Sequence, residues 1–360
     1  MKILHIEAGK HLYGGAKQVE LIITGLTEKG VENHLICPKG SAIVKACSKH
    51  ATVHEIDYPH ELSFKALRQM KQIMQQLKPD IAHLHSRRGA DTLGALAAKF
   101  TGTPCVLSRR VDNPEASLAI KLKYPLYQQV ICISQGIADV LISQGVPKEK
   151  INVVHSSIPT AFYQNPKPRK EFNQTFSVDN DDVVIAVVAQ LIQRKGHHYL
   201  LNILPEILKT QPNVKVLFFG KGPTKDALQA SIKEQGLERI VQLAGFRDDL
   251  QDWFGCFDLL VHPAEAEGLG VSLLQTGAAK TPIIATAVGG IPEIIIDQQT
   301  GWLIPPKDET ALQAAILDAL ASDQKREKLA SRLQKHVESH FSVPAMIEGN
   351  LRVYQSILSS

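Results

Sequence analysis

Long hydrophobic runs are missing from this 360-residue chain. The longest unbroken apolar stretch, VVIAVVA at residues 183–189, falls far short of the ~18 residues a membrane-spanning helix needs. Cysteine is scarce. The five that occur (Cys37, Cys47, Cys105, Cys132 and Cys256) are scattered, odd in number and form no C-x-x-C pair, which argues against a disulfide framework and suits a reducing compartment. Aromatic residues make up only 6%, and no RNP, KH or zinc-finger pattern is present, so no nucleic-acid partner is expected. The 14 histidines include no H-E-x-x-H, and their spacing suggests no zinc site. No G-x-G-x-x-G follows a candidate strand, which disfavours a nicotinamide dehydrogenase. The opening MKILHIEAGK carries Glu7 and lacks an extended apolar region, so it reads as a first strand and not a secretory leader. A cytoplasmic location is the resulting expectation.

There is ample material for packed cores, with 44% hydrophobic and 21% charged residues. At ~150 residues per domain the length suggests two domains. The net charge of +4 is unevenly spread. Residues 1–160 hold 20 Lys and Arg against 13 Asp and Glu, and residues 161–360 hold 20 against 23. A basic first half suits phosphates or an anionic membrane surface. The stretch 64–78 carries Lys65, Arg68, Lys71 and Lys78 beside an apolar face, with Arg87, Arg88, Lys121 and Lys123 elsewhere in the same half. Peripheral contact with the anionic inner membrane, at its cytoplasmic face, is therefore one expectation, and a merely solvated face is the other.

Strand and helix patterns alternate along the chain. Strands are expected at 2–6, 34–37, 81–85, 104–107 and 129–133, with helices between them, including 64–77 with Phe64, Leu67, Met70, Ile73, Met74 and Leu77 on one face. Residues 163–182 are polar, contain two prolines and read as a linker. The alternation then restarts with strands at 183–189, 214–219, 240–243, 259–262 and 283–285, and 308–358 reads as mostly helical. This rhythm predicts an α/β protein of two doubly wound, parallel-sheet, Rossmann-like domains facing a cleft. The expected boundaries are 1–162, a linker at 163–182, a second domain at 183–340, and a C-terminal helix at 341–360 that could pack back on the first domain.

In such sheets ligands sit beyond the carboxyl ends of the strands, where turns meet helix N-termini. Four places qualify. Gly14-Gly15 follows the first strand, where a turn or a close approach to phosphate or sugar would use them. Arg194-Lys195-Gly196 follows the buried strand at 183–189 and suits a diphosphate, or is a solvated basic turn. Gly220-Lys221-Gly222-Pro223 ends the strand at 214–219 and permits a tight turn against a flat ligand. The fourth is residues 262–296, where Glu267 precedes Gly268-Leu269-Gly270 at the start of a helix that carries Gln275. Its backbone N–H groups can meet an anion, and Glu267 can accept hydrogen bonds from sugar hydroxyls.

This last segment resembles the Glu-x7-Glu signature of retaining GT-B glycosyltransferases of family 4, with Gln275 in place of the second Glu. YGGAKQVELIITGL resembles the family's first Gly-Gly loop and helix, AQLIQRKG its phosphate loop, and VGGIPEII and TGWLIPPKD its C-terminal landmarks. The resemblance implies a metal-independent enzyme without a cofactor. It would move a sugar from a UDP-, GDP- or ADP-sugar to a glycan or lipid-linked acceptor, in lipopolysaccharide or cell-surface polysaccharide synthesis. It implies that Lys195 neutralises the diphosphate, Glu267 contacts the sugar hydroxyls, and the amides of Gly268, Leu269 and Gly270 touch sugar and phosphate. Gln275 would face the ribose, and Gly14, Gly15, Gly220, Lys221 and Phe246 complete the donor-binding set. The family's loop arginine falls at Gln190, a lost charge that Arg194 could replace. Arg110 stands where many members have a histidine. Always cationic, it cannot be a general base, but it could bind phosphate. His85 is the other candidate of the first domain, either catalytic or satisfied within the core. Two alternatives remain: a catalytically impaired sugar-nucleotide-binding protein, to which Gln190, Arg110 and Gln275 point, and a nucleotide-sugar epimerase on the same architecture.

Overall fold

A computed structural model of the chain describes residues 1–12, 14–58, 60, 63–86 and 89–359. Arg87 and Arg88 lie outside the described residues. By internal contact the chain divides into two units, residues 1–157 with 343–360, and residues 158–342.

The first unit holds a seven-stranded parallel sheet of β1 (Lys2–Ile6), β2 (Glu32–Pro38), β3 (Thr52–Ile56), β4 (Ile81–Leu84), β5 (Cys105–Arg109), β6 (Gln129–Cys132) and β7 (Ile151–Val153). Their order is β3-β2-β1-β4-β5-β6-β7, so the winding reverses between β1 and β4, where His5 sits opposite His83. Ile3, Ile81, Val106 and Ile131 pack with Ile22 and Leu26 from the helix Gly14–Glu28 and with Met346, Ile347 and Tyr354. The last three belong to the helix Val343–Leu358, so the chain's final helix completes this unit's core.

The second unit holds β8 (Val183–Val188), β9 (Val214–Phe219), β10 (Val241–Gly245), β11 (Leu259–His262), β12 (Ile283–Thr286) and β13 (Trp302–Ile304), in the parallel order β10-β9-β8-β11-β12-β13. Its reversal lies between β8 and β11. Both sheets are therefore doubly wound, as the alternation predicts.

Three strands escape the hydrophobic pattern: β3, β7 and β13. All three are edge strands. β7 and β13 are three residues each, too short to stand out as runs, even though Trp302 and Ile304 of β13 are buried. In β3, His54 and Glu55 remain accessible. The expected linker is a second correction. Residues Arg169–Phe176 form a helix that buries Phe172 and Phe176 against Trp253, Phe257 and Phe219. Two aromatics four residues apart fasten an otherwise polar segment to the second unit. Phe64 is the third. It is 87% exposed at the first position of the helix Phe64–Leu77, which buries Ala66, Met70 and Met74 instead. Among the described residues no helix is long and apolar enough to cross a membrane.

Candidate functional site

The carboxyl edge of the second sheet is knitted from loops that approach too closely for side chains. A Cβ on Gly196 would lie 2.0 Å from the Pro263 carbonyl oxygen, and one on Gly220 1.9 Å from that of Ala189. Both have positive φ, at +70° and +151°. Only glycine meets both demands. The loops after β8 and β11 are also tied by the Glu265 N–H, which donates to the Arg194 carbonyl at 2.8 Å. The switch point thus brings the two most distinctive sequence segments together.

At their junction Lys195 pairs with Glu267. Both are sheltered, with side chains 9% and 18% exposed. Glu267 Oε2 is also 3.2 Å from His262 Nε2, and Oε1 accepts the Gly268 N–H at 3.0 Å. Burial raises the carboxyl's pKa, but the His262 hydrogen bond and the Lys195 charge outweigh it and hold Glu267 down at about 2. Burial likewise lowers the His262 pKa, so the imidazole is neutral near pH 7. Glu267 is therefore an ionised hydrogen-bond acceptor and not an acid.

Beside it, Gly270 (φ +93°) caps the helix Val271–Ala278; its carbonyl accepts the Leu273 N–H at 2.9 Å, which leaves the N–H groups of Val271 and Ser272 as the first-turn donors without an intrahelical acceptor. Leu269 is buried, so its backbone is the part that can act. Gln275, one turn on, donates from Nε2 to the Tyr163 hydroxyl at 2.8 Å, which leaves its carbonyl oxygen as an acceptor. Gln190 is exposed, as is Arg194, whose guanidinium reaches the Ala266 carbonyl at 3.4 Å. At the ends of β9 and β10, the Lys221 ammonium sits 4.8 Å from the centre of the Phe246 ring, which is 59% exposed. That exposed aromatic offers a flat face.

In the first unit, Gly14 and Gly15 begin the helix after β1, and a Cβ on Gly15 would lie 3.8 Å from Arg110 Cδ. Arg110 donates to the Ser156 hydroxyl at 3.3 Å. Burial lowers its pKa to about 10, with Glu7 acting against that shift, so it remains a cation. Its neighbour Arg109 is buried on Glu115 at 2.6 Å, and Glu115 also takes Lys123 at 2.6 Å and the Tyr124 hydroxyl at 2.9 Å. This network fixes the loop that follows Arg110.

His85 is 3% exposed and shares a 2.9 Å hydrogen bond with His5, which contacts Asn33 at 3.1 Å. His83 lies between the Tyr354 hydroxyl at 2.6 Å and the Ser108 hydroxyl at 2.8 Å. One ring nitrogen from each of His5, His83 and His85 lies within 4.8 Å of the other two. Burial pushes all three pKa values down, His5 to about 4. His85 thus has one hydrogen-bonded core partner, His5, while its Nδ1 is buried without one among the described residues, so the core does not satisfy it fully.

Two members of the site, His262 and Tyr163, carry no sequence signal. His262 opens the segment 262–296 but only as the end of an apolar strand, and Tyr163 opens the polar stretch that reads as a linker, so the sequence gives neither side chain a role.

Comparison with known proteins places the chain. The family described as Glycosyl transferases group 1 matches residues 168–336, and Glycosyltransferase Family 4 matches residues 13–162. An uncharacterised glycosyltransferase of Methanocaldococcus jannaschii is 28% identical over 63% of this chain, and the match spans only 60% of that relative. The lipopolysaccharide core biosynthesis glycosyltransferase LpsE of Rhizobium meliloti is 24% identical, over 99% of both chains. Among solved structures, HepE of Anabaena in complex with UDP-glucose superposes with a TM-score of 0.85 at 21% identity, covering 99% of this chain and all of that one. That likeness speaks for the fold.

Proposed function

Because this chain belongs to the glycosyltransferases of group 1 and family 4, which between them match both of its units, we propose that it is a retaining transferase. It takes a nucleotide-activated sugar and passes the sugar to a glycan or lipid-linked acceptor in cell-surface polysaccharide synthesis. The observation that carries this reading is the pairing of Lys195 with Glu267 at the switch point of β8 and β11, beside the N-terminus of a helix. A site that stores one cation and one carboxylate against each other holds partners for a diphosphate and for sugar hydroxyls.

In the proposed reaction the bond from the sugar's anomeric carbon to the phosphate oxygen breaks, and the acceptor hydroxyl oxygen bonds that carbon from the same face. The hydroxyl proton passes to the departing phosphate. Lys195, with Arg194 on the same loop and the N–H groups of Leu269 and Gly270, stabilises the charge gathering on the diphosphate, while the Gly268 N–H stays on Glu267. Glu267 accepts from the sugar hydroxyls. Gln275 accepts from the ribose, and the loops bearing Gly220, Lys221, Phe246 and Gln190 border the nucleoside. This scheme uses no metal. Gly14 and Gly15 are the donor-binding candidates of the first unit, and Arg110 is its phosphate-ligand candidate. His85 is buried with His5 and His83 in the same unit.

The relatives' names support the acceptor class: LpsE acts in lipopolysaccharide core synthesis, and a Staphylococcus aureus relative, CapM, in capsular polysaccharide synthesis. A lipid-linked acceptor would bring the protein to a membrane surface from the cytoplasm.

The test is calorimetry and donor hydrolysis with UDP-, GDP- and ADP-sugars. One class should bind and be slowly hydrolysed. Glu267→Ala should abolish hydrolysis and transfer while leaving affinity for the sugar-free nucleoside diphosphate within about twofold, because its carboxylate is assigned to the sugar. Equal loss for the sugar-free nucleotide would refute that assignment, and binding without any hydrolysis would favour the impaired binding protein.

A further inference from the structure

His262 is the least expected member of the second unit's site. It is the last residue of β11, only 1% exposed, and its backbone pairs in register with Ala285 of β12. Its Nε2 faces Glu267 Oε2 at 3.2 Å, and its Nδ1 has no hydrogen-bond partner. The ring therefore has one polar engagement, and the carboxylate is its object. Facing that pair are Lys195 from the loop after β8, which shares the same Oε2, and the Gly268 N–H on Oε1.

Lys195 and His262 differ in what they can do once a ligand arrives. Lys195 ends a long flexible side chain and carries the charge a diphosphate attracts. When its ammonium turns to phosphate oxygens, Oε2 loses one of its two partners. His262 has no such freedom, since it is buried, neutral and fixed to the sheet. We propose that His262 is a positioning residue: it holds the Glu267 carboxylate in its sugar-binding orientation while Lys195 is engaged by the diphosphate. This rests on the transferase reading above. It requires the Nε2–H tautomer, with the proton donated to the ionised carboxylate.

The role predicts a particular split. Removing the N–H should let the carboxylate rotate, and misplacement by about 1 Å can cost on the order of 100-fold in rate. The diphosphate contacts of Lys195 should be untouched. His262→Leu removes the donor but fills similar volume. His262→Gln can return an N–H near the position of Nε2. The experiment measures affinities for UDP and UDP-glucose by calorimetry and donor turnover by initial rates, for wild type and both variants, beside ¹⁵N spectra of the imidazole. For His262→Leu the expected result is UDP affinity within about threefold of wild type, loss of the additional affinity contributed by glucose, and kcat down by about 10- to 100-fold. His262→Gln should recover most of both. Parallel loss for UDP and UDP-glucose, or no recovery in His262→Gln, would overturn the proposal and leave His262 a packing residue. If wild type binds neither UDP-, GDP- nor ADP-sugars, the transferase reading fails and the role falls with it. The spectra separate that case from a wrong contact. A neutral Nε2–H signal that changes in Glu267→Gln supports the contact whatever the ligand, and an Nδ1–H tautomer refutes it.

Discussion

Gly289 lies directly under Glu267, so that a Cβ built on it would fall 1.6 Å from the Glu267 carbonyl oxygen. Its φ of +54° is unfavourable for any side chain, and the Gly290 N–H beside it donates to the Gly268 carbonyl at 3.2 Å. The turn after β12 is thus a floor for the signature loop. Gly289→Ala should incur the ~1–2 kcal/mol of left-handed strain and also displace Glu267. Gly40→Ala is the control, since it has φ +68° and nothing within 4 Å of where its Cβ would stand. Calorimetric melting should show both variants destabilised, with donor affinity lost only in Gly289→Ala. Equal donor affinity in the two would show that the turn does not hold the loop.

Lys195 and Arg194 should separate by exposure. Lys195 is buried against Glu267, and Arg194 is exposed with one long contact to Ala266. A charge-assisted bond to phosphate contributes ~1.5–3 kcal/mol. Lys195→Ala is therefore expected to weaken nucleoside diphosphate binding by about 10- to 150-fold, and Arg194→Ala by less than about tenfold. Arg110→Ala, in the other unit, should leave that affinity unchanged and lower turnover. Titration calorimetry on the three variants checks the ranking, and wild-type affinity in Lys195→Ala would displace the site altogether.

The buried histidines make the first unit acid-sensitive. His5, His83 and His85 stay neutral in the fold because burial lowers their pKa values, whereas in the unfolded chain each titrates near 6.5. Below pH ~6.5 the unfolded chain binds more protons, so stability falls as pH falls, from about 6.5 toward 4. Each imidazole can contribute up to ~1.4 kcal/mol per pH unit across that window. Melting curves between pH 7.5 and 5 should drop less steeply for a His5→Asn/His85→Asn double variant than for wild type. Parallel slopes would mean that these imidazoles do not govern the acid limb.

Much of this is legible in sequence because parallel sheets write their interior strands as apolar runs and place ligands at the loops that follow. Residues 183–189 and 259–262 are readable as strands for that reason, and so are the glycines after them. What stays hidden is pairing across distance. Lys195 and Glu267 are 72 residues apart, and only the adjacency of β8 and β11 makes them partners. His5 and His83 meet through the register of β1 and β4, which no local spacing encodes. The helix Arg169–Phe176 is obscured because its two buried phenylalanines sit among charges. Phe64 departs from the expected face because helical periodicity identifies a stripe but not where the neighbouring helix stops covering it.

That uncovered residue motivates the final prediction. Phe64 is 87% exposed and Phe100 59%, the latter with the Lys71 ammonium 5.6 Å from its ring centre. The helix Phe64–Leu77 contains Lys65, Arg68 and Lys71 and no acidic residue, and Lys78 caps its end. Lys65 is offset by Asp57 at 2.7 Å, whereas Arg68 and Lys71 enter no ion pair among the described residues. Exposed phenylalanines ringed by uncompensated cations suit an anionic bilayer, where each well-placed cation contributes ~1 kcal/mol and the rings can enter the interface. A solvated helix would show the same charges but no dependence on the aromatic residues. Vesicle sedimentation should therefore find binding to liposomes containing phosphatidylglycerol, little binding to phosphatidylcholine alone, and release by salt. Phe64→Ala/Phe100→Ala and Arg68→Glu/Lys71→Glu should each reduce the bound fraction severalfold without lowering the melting temperature, because none of the four side chains is in the core. Binding that ignores the lipid's charge, or that survives both double variants, would assign this face to solvent.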